Sequence, residues 1–258
     1  MKQRGQVTLI IILGILALFV VLFLFYARDQ IIEKVTKTTN VQQQLKLELT
    51  QIEKDISVCI NKETTGILKT LAQNGGTLES SNTLPYKGNK ITILCQNIPE
   101  TNNCLATPLL APSIEKEVQP ILQEKVRQCI DLSPFQGKNY EISSGDLTLT
   151  FIIHPRNVLV SADYPLTLKQ GEYTVQTKTI TKEIDVPFGR LLTATNEILS
   201  QRSTTGNFDP LPFVLIHLNE FNLEEKKPYP NEIYSLSLRT QEDYTFWFAV
   251  TAQGRFNS

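Results

Sequence analysis

From Val7 to Tyr26 the chain reads VTLIIILGILALFVVLFLFY, uncharged throughout and interrupted by Thr8 and Gly14 alone. A helix of about 20 residues, rising ~1.5 Å per residue, reaches the ~30 Å hydrocarbon thickness of a bilayer. Leu, Ile, Val and Phe each favour insertion by roughly 0.3–0.6 kcal/mol at the membrane centre, and the run sums to several kcal/mol. A secretory signal peptide would have a shorter apolar region and small residues at its cleavage site, whereas this run ends in FLFYARDQ. A buried core helix is seldom apolar on every side for this length. The reading predicts a transmembrane helix over 6–27 in a single-pass protein of the cell membrane, with the lipid bilayer as a partner. Lys2 and Arg4 precede the run, while Arg28, Lys34 and Lys37 follow it. The short, purely basic tail favours a cytoplasmic N-terminus and an extracytoplasmic C-terminal portion.

Just upstream, Lys2-Gln3-Arg4-Gly5-Gln6-Val7-Thr8 abuts the apolar run. This resembles the class III signal peptide of archaeal type IV pilin-like proteins, a basic tail ending in Gly and followed by Gln. The resemblance implies a prepilin-type peptidase that cuts between Gly5 and Gln6 and frees residues 1–5. It also implies other surface or pilin-like subunits as partners. The family pattern has Glu at the fifth mature position, where it neutralises a neighbour's amino group during filament assembly; here that position is Ile10. The RGQVT start, Cys59 in a helical stretch closed by Asn74-Gly75-Gly76, and Cys129 ending a second helix carry a further likeness. In these the chain is similar to uncharacterised single-pass surface proteins of small-genome archaea, a likeness that implies no activity.

Beyond the apolar run, 28–40 is polar and Thr-rich, a stalk or a helix extension. From Val41 a helical period emerges: Leu45, Leu49, Ile52, Ile56 and Cys59 recur at intervals of four and three, the stripe of an amphipathic helix. Ile67, Leu68 and Leu71 extend it, with Gly66 as a candidate kink and Gly75 or Gly76 as its left-handed stop. Ser80 to Lys90 reads as a turn-rich connection, Ile91 to Cys95 as a short strand, and Asn97 to Pro112 as loop. Ser113 is an expected N-cap, with Glu115 and Glu117 in the first turn of a helix ending near Cys129 and Pro120 as a kink or break inside it.

The second half is richer in Thr, Val and Ile. Leu147 to His154, Asn157 to Tyr164 and Tyr173 to Val186 read as antiparallel strands. Leu191 to Leu199 suggests a helix, Pro212 to Phe221 another, and Glu224 to Pro230 an exposed loop. A last hairpin turns at Thr240 to Asp243 and sets Tyr234, Leu236 and Leu238 opposite Phe246, Phe248 and Val250. The expected fold class is α+β: the N-terminal transmembrane helix, then an ectodomain that is mainly helical over 41–132 and β-rich over 133–258.

Composition narrows function by exclusion. With 25 basic and 26 acidic side chains the chain carries a net charge of -1, so nucleic acid is not an expected partner. Cys59, Cys95, Cys104 and Cys129 lack the close pairing of zinc ligands. Four cysteines allow three connectivities, and four reduced buried thiols are the alternative. The favoured pairing is Cys95 with Cys104 as a local clasp and Cys59 with Cys129 as a staple between two helices. No nucleophile elbow, zinc-protease pair or phosphate loop is present, and His154 and His217 read as turn and helix residues. No catalytic, cofactor-binding or metal residue stands out, and no cofactor or enzyme activity is expected. Tyr234, Tyr244 and Trp247 are the candidates for an interface, with packing against the sheet as the competing role. The expected function is binding or assembly by a membrane-anchored, pilin-like surface protein. An anchored extracytoplasmic enzyme and a subunit of an envelope or secretion assembly are the alternatives.

Overall fold

The computed structural model describes residues 4–101, 103–218, 220–228 and 231–251; for 4–13, 24–25, 27–39 and 242–243 the description is of the backbone. Helix α1 (Arg4–Asn74) is followed by strands β1 (Thr83–Tyr86), β2 (Asn89–Asn97) and β3 (Cys104–Ala106), then by helix α2 (Ala111–Cys129). Strands β4 (Glu141–Ser144), β5 (Thr148–Ile153), β6 (Val158–Gln170) and β7 (Tyr173–Ile184) come next. Helices α3 (Phe188–Thr205) and α4 (Pro210–Ile216) lead to β8 (Phe221–Lys226), β9 (Asn231–Leu238) and β10 (Gln241–Thr251). The chain divides into two compact units. One holds the chain up to Gln51 with Phe135–Ser143 and Thr167–Gln176; the other holds Ile52–Pro134, Ser144–Leu166 and the chain from Thr177 onward.

The mixture of helix and sheet agrees with the sequence, but the membrane span does not. Among the described residues no helix is long and apolar enough to cross a membrane. The expected transmembrane helix over 6–27 is corrected on this finding, and so is the single-pass placement in the cell membrane. The described side chains of the apolar run are those of Gly14 to Phe23 and Tyr26. Gly5 and Gln6 fall where the backbone alone is described, and Met1 to Gln3 lie outside the described residues. The segment 28–40 is helical and belongs to the unbroken 71-residue α1.

In the first unit the buried apolar side chains are Leu45, Leu49, Phe135 and Leu168. Glu48 accepts hydrogen bonds from Lys138 Nζ at 2.6 Å and from Tyr140 Oη at 3.2 Å. The Glu48 hydrogen bond raises the Lys138 ammonium above its ordinary pKa, and burial raises the Tyr140 phenol.

In the second unit the stripe continues through Ile52, Ile56, Ile60, Ile67, Leu68 and Leu71, all buried. The helix runs through Gly66 without a break and stops at a pair of left-handed glycines, Gly75 (φ 82) and Gly76 (φ 89). The Gly76 N–H donates to the Leu71 carbonyl at 2.8 Å, the six-to-one closure of a Schellman motif. An L side chain at either position would be strained. At Gly75 a Cβ would also meet the Trp247 carbonyl oxygen at 3.1 Å.

Two sheets follow. The larger has the order β1-β2-β10-β9-β8, with β3 also on β2; the smaller has the order β4-β6-β5, with β7 on β6. Strand β10 runs parallel to β2 and antiparallel to β9. Tyr234 stands opposite Phe248 and Leu236 opposite Phe246 across the last hairpin. These side chains build an aromatic core: Tyr234 stacks on Phe248 with centroids 5.1 Å apart, and Phe246 meets Phe188 of α3 edge-on at 5.9 Å. Helix α2 packs on β5 and seals its edge, because Glu115 Oε1 accepts from the Ile153 N–H at 2.8 Å and Gln123 Oε1 from the Leu149 N–H at 3.1 Å.

Several local expectations are revised. The turn-rich connection over 80–90 contains β1, and the expected loop over 97–112 contains β3. Helix α2 is capped at Leu110 rather than Ser113, with Pro112 in the first turn, where a missing N–H costs nothing. Glu117 accepts from the Thr77 hydroxyl at 3.0 Å and the Leu78 N–H at 2.7 Å instead of facing its own helix start. Pro120 stays inside a continuous helix. The second helix expected over 212–221 is the short α4, and Glu224 to Lys226 are strand rather than loop.

Candidate interaction surfaces

Both bridges lie in the second unit. Cys59 of α1 is joined to Cys129 at the end of α2, and Cys95 of β2 to Cys104 of β3; none of the four cysteines is free. By chain entropy the first closure is worth about 4 kcal/mol and the second about 2.5 kcal/mol. They lock α1 to the end of α2 and β2 to β3 within the larger sheet.

The three aromatic candidates part company. Tyr234 is fully buried, so its expected place at an interface is corrected. Its hydroxyl donates toward Glu232 at 2.9 Å and Glu225 at 3.0 Å, and burial beside these two carboxylates raises its pKa far above the ordinary phenol value. Arg202 completes the cluster, 2.7 Å from Glu232 and also bonded to the Gly206 carbonyl. A buried charge persists when so paired. Tyr244 and Trp247 are half-buried. Trp247 lies 5.9 Å from Tyr86 and has the Lys226 ammonium 5.8 Å from its ring centre.

Trp247 walls an open trough of about 590 Å³ on the outward face of β8, β9 and β10. Alternation fixes its layout, because Tyr234, Leu236, Phe246 and Phe248 point into the core and their neighbours point out. Glu224, Ser235 and Trp247 stand in one cross-strand row, Asn222 and Ser237 in the next, and Thr245 lies two residues from Trp247. Although they face outward, Ser235 and Ser237 are just 6% and 7% exposed, so the taller side chains around them leave the two hydroxyls on the floor. Neither hydroxyl has a hydrogen-bond partner among the described residues. A second groove, of about 550 Å³, runs beside Asn74 and 77–83, but its polar groups bond to one another or to Glu117.

The histidines do not enter either groove. His154 sits exposed in the β5–β6 turn, whose backbone passes so near Gly189 that a Cβ there would meet the His154 carbonyl oxygen at 2.6 Å. His217 does gather carboxylates: Nε2 is 2.9 Å from Glu197, Nδ1 is 3.7 Å from Glu220, and Arg190 pairs with Glu220 at 2.5 Å. Its ring is clamped between Phe213 at 4.6 Å and Phe221 at 5.4 Å. Through its Nε2 contact with Glu197 this histidine ties α3 to the turn after α4. Among the described residues no group of three or more His, Cys, Asp or Glu side chains is placed to hold a metal ion.

Among the described residues, exposed large apolar side chains cluster most closely along the chain in α1 and around α4. Leu211, Leu215, Ile216 and Leu218 on and after α4 are 62–70% exposed. The larger set is on α1, where Ile15, Leu16, Leu18, Phe19, Val20, Val21, Leu22 and Phe23 are each 50–70% exposed. At ~100° per residue, these consecutive positions put apolar surface on every side of the helix. No family model, curated protein or solved structure matches the chain.

Proposed function

We propose that the chain is a pilin-like subunit that works by binding and assembly rather than by catalysis. Its apolar α1 segment docks among the same segments of further copies, and its second unit is held together by two disulfides. The observation that carries this reading is the exposed run of α1. An apolar stripe would suit one flat partner, but apolar surface all round a helix is covered by several neighbours at once, as in a bundle of like helices. Each Leu or Phe so buried contributes about 1.5–3 kcal/mol, enough over eight side chains to offset the entropy of association. The bridges Cys59–Cys129 and Cys95–Cys104 suit a compartment oxidising enough to keep them.

The test is self-association of the full chain. Because none of its four cysteines is free, Leu18→Cys introduces a single reactive thiol in the run. Expected is an oxidative cross-link between copies and a size distribution above the monomer. Leu18→Gln combined with Leu22→Gln should return the chain to monomer without changing the melting of the second unit. A wild-type chain that stays monomeric at micromolar concentration, with no cross-link through residue 18, would sink the proposal.

A further inference from the structure

We infer that the trough on β8, β9 and β10 binds a neutral saccharide. This goes beyond the assembly reading and does not depend on it, since the trough lies wholly in the second unit.

Strand β9 reads Tyr234-Ser235-Leu236-Ser237-Leu238, and its apolar members fill the core. An outward serine on a plain solvated face would be open to water on most sides. Ser235 and Ser237 are instead more than nine-tenths buried and opened to solvent through the trough, with hydroxyls that bond to no described residue. Recessed donors and acceptors without partners are costly for a ligand that cannot answer them, by about 1–3 kcal/mol each. A purely apolar ligand is therefore disfavoured, and a ligand rich in hydroxyls is favoured.

The walls narrow the class further. The Trp247 indole offers apolar surface with a polar edge, which suits the C–H face of a sugar ring. At the rim Glu224 pairs with Lys226 at 3.2 Å, while the Arg239 guanidinium, held by an Nε–H donated to the Phe221 carbonyl at 3.4 Å, keeps its positive charge. An anion would face the Glu224 carboxylate, and a cation would have to displace Lys226. A neutral polyol needs neither. The trough's ~590 Å³ falls within the ~300–1,000 Å³ of small-ligand sites, and its open form suits a chain of rings rather than an engulfed monomer. The groove beside 77–83 has a similar volume, but its polar groups answer one another, so it makes no comparable demand.

Trp247 is the one tryptophan in the chain, so selectively excited tryptophan emission reports this trough alone. The full chain is titrated to millimolar concentration with hexasaccharides of glucose, of N-acetylglucosamine and of mannose, and separately with an extended Ser-Val peptide and with heparin. Expected is a saturable emission change with at least one neutral hexasaccharide. The affinity should fall by about tenfold or more in Ser237→Leu, which fills the floor, and in Asn222→Leu, which blocks the rim without touching the core. Melting curves show which variants are folded, and either one suffices. Three outcomes overturn the inference: no saturable change with any of the three sugars, a change undiminished in a folded variant, or a response confined to the peptide or to heparin.

Discussion

The exposed run of α1 and the β9–β10 hairpin draw on the same residue types and put them to opposite uses. Leu16, Leu18, Phe19 and Phe23 stand at 60% exposure or more, whereas Leu236, Phe246 and Phe248 have none. In the hairpin, alternation sends Tyr234, Leu236, Phe246 and Phe248 to one face, while the other face buries Ile233 and Ala249 against Ile91. In the helix no alternation or stripe is present, so no one neighbouring surface can take up all the apolar area. Apolar content alone thus separates nothing; its periodicity decides whether it stabilises the fold or waits for partners.

The sharpest test of this contrast is a pair of substitutions. Phe246→Ala removes a fully buried ring packed on Phe188 and Phe248. It should lower unfolding stability by about 3–5 kcal/mol in a denaturant titration, whereas Leu18→Gln should change it by less than about 0.5 kcal/mol. Equal effects would abolish the distinction between the two regions. Next in size are the bridges. Cys59→Ser with Cys129→Ser should cost about 4 kcal/mol, and Cys95→Ser with Cys104→Ser about 2.5 kcal/mol, each read from the same titrations.

The alkaline limb of stability tests the interior of the hairpin. Tyr234 has its pKa raised above the ordinary 10.0 by burial and by Glu232 and Glu225. Its contribution is therefore complete below about pH 10 and is lost as pH rises beyond that, because the unfolded phenol releases its proton first. Tyr234→Phe should flatten that decline while costing about 1–3 kcal/mol at neutral pH, since two acceptors lose their donor. An alkaline limb as steep in the variant as in the parent would show that the hydroxyl is not so held.

Much of this was legible in the sequence wherever a period or a spacing carried it. The stripe from Leu45 to Leu71, the Gly75-Gly76 stop and the strands flanking Pro155 all stand in the structure, as does the pairing of Tyr234 and Leu236 with Phe248 and Phe246. The expected pairing of the four cysteines is the one the structure contains. What escaped was set by distant partners. Strand β8 reads as loop because Glu224, Glu225 and Lys226 are charged, yet an edge strand tolerates charge and is made a strand by its pairing with β9. Ser113 looked like a cap until Pro112 took the first turn two residues after Leu110. The trough had no signal of its own, since Ser235 and Ser237 become recessed through the height of neighbours on other strands.

The position of β10 has a consequence for synthesis. The parallel partner of Ala249 and Val250 is β2, some 150 residues upstream, and β10 lies between it and β9 in the middle of the larger sheet. Loop closure over such a separation is slow and cannot begin before the partner exists. While the ribosome is still translating the residues between β3 and β10, β1, β2 and β3 can be clasped by Cys95–Cys104. Their inner edge nevertheless stays open until residue 251 has emerged from the exit tunnel, so for most of its time as a nascent chain the second unit holds half a sheet awaiting its keystone.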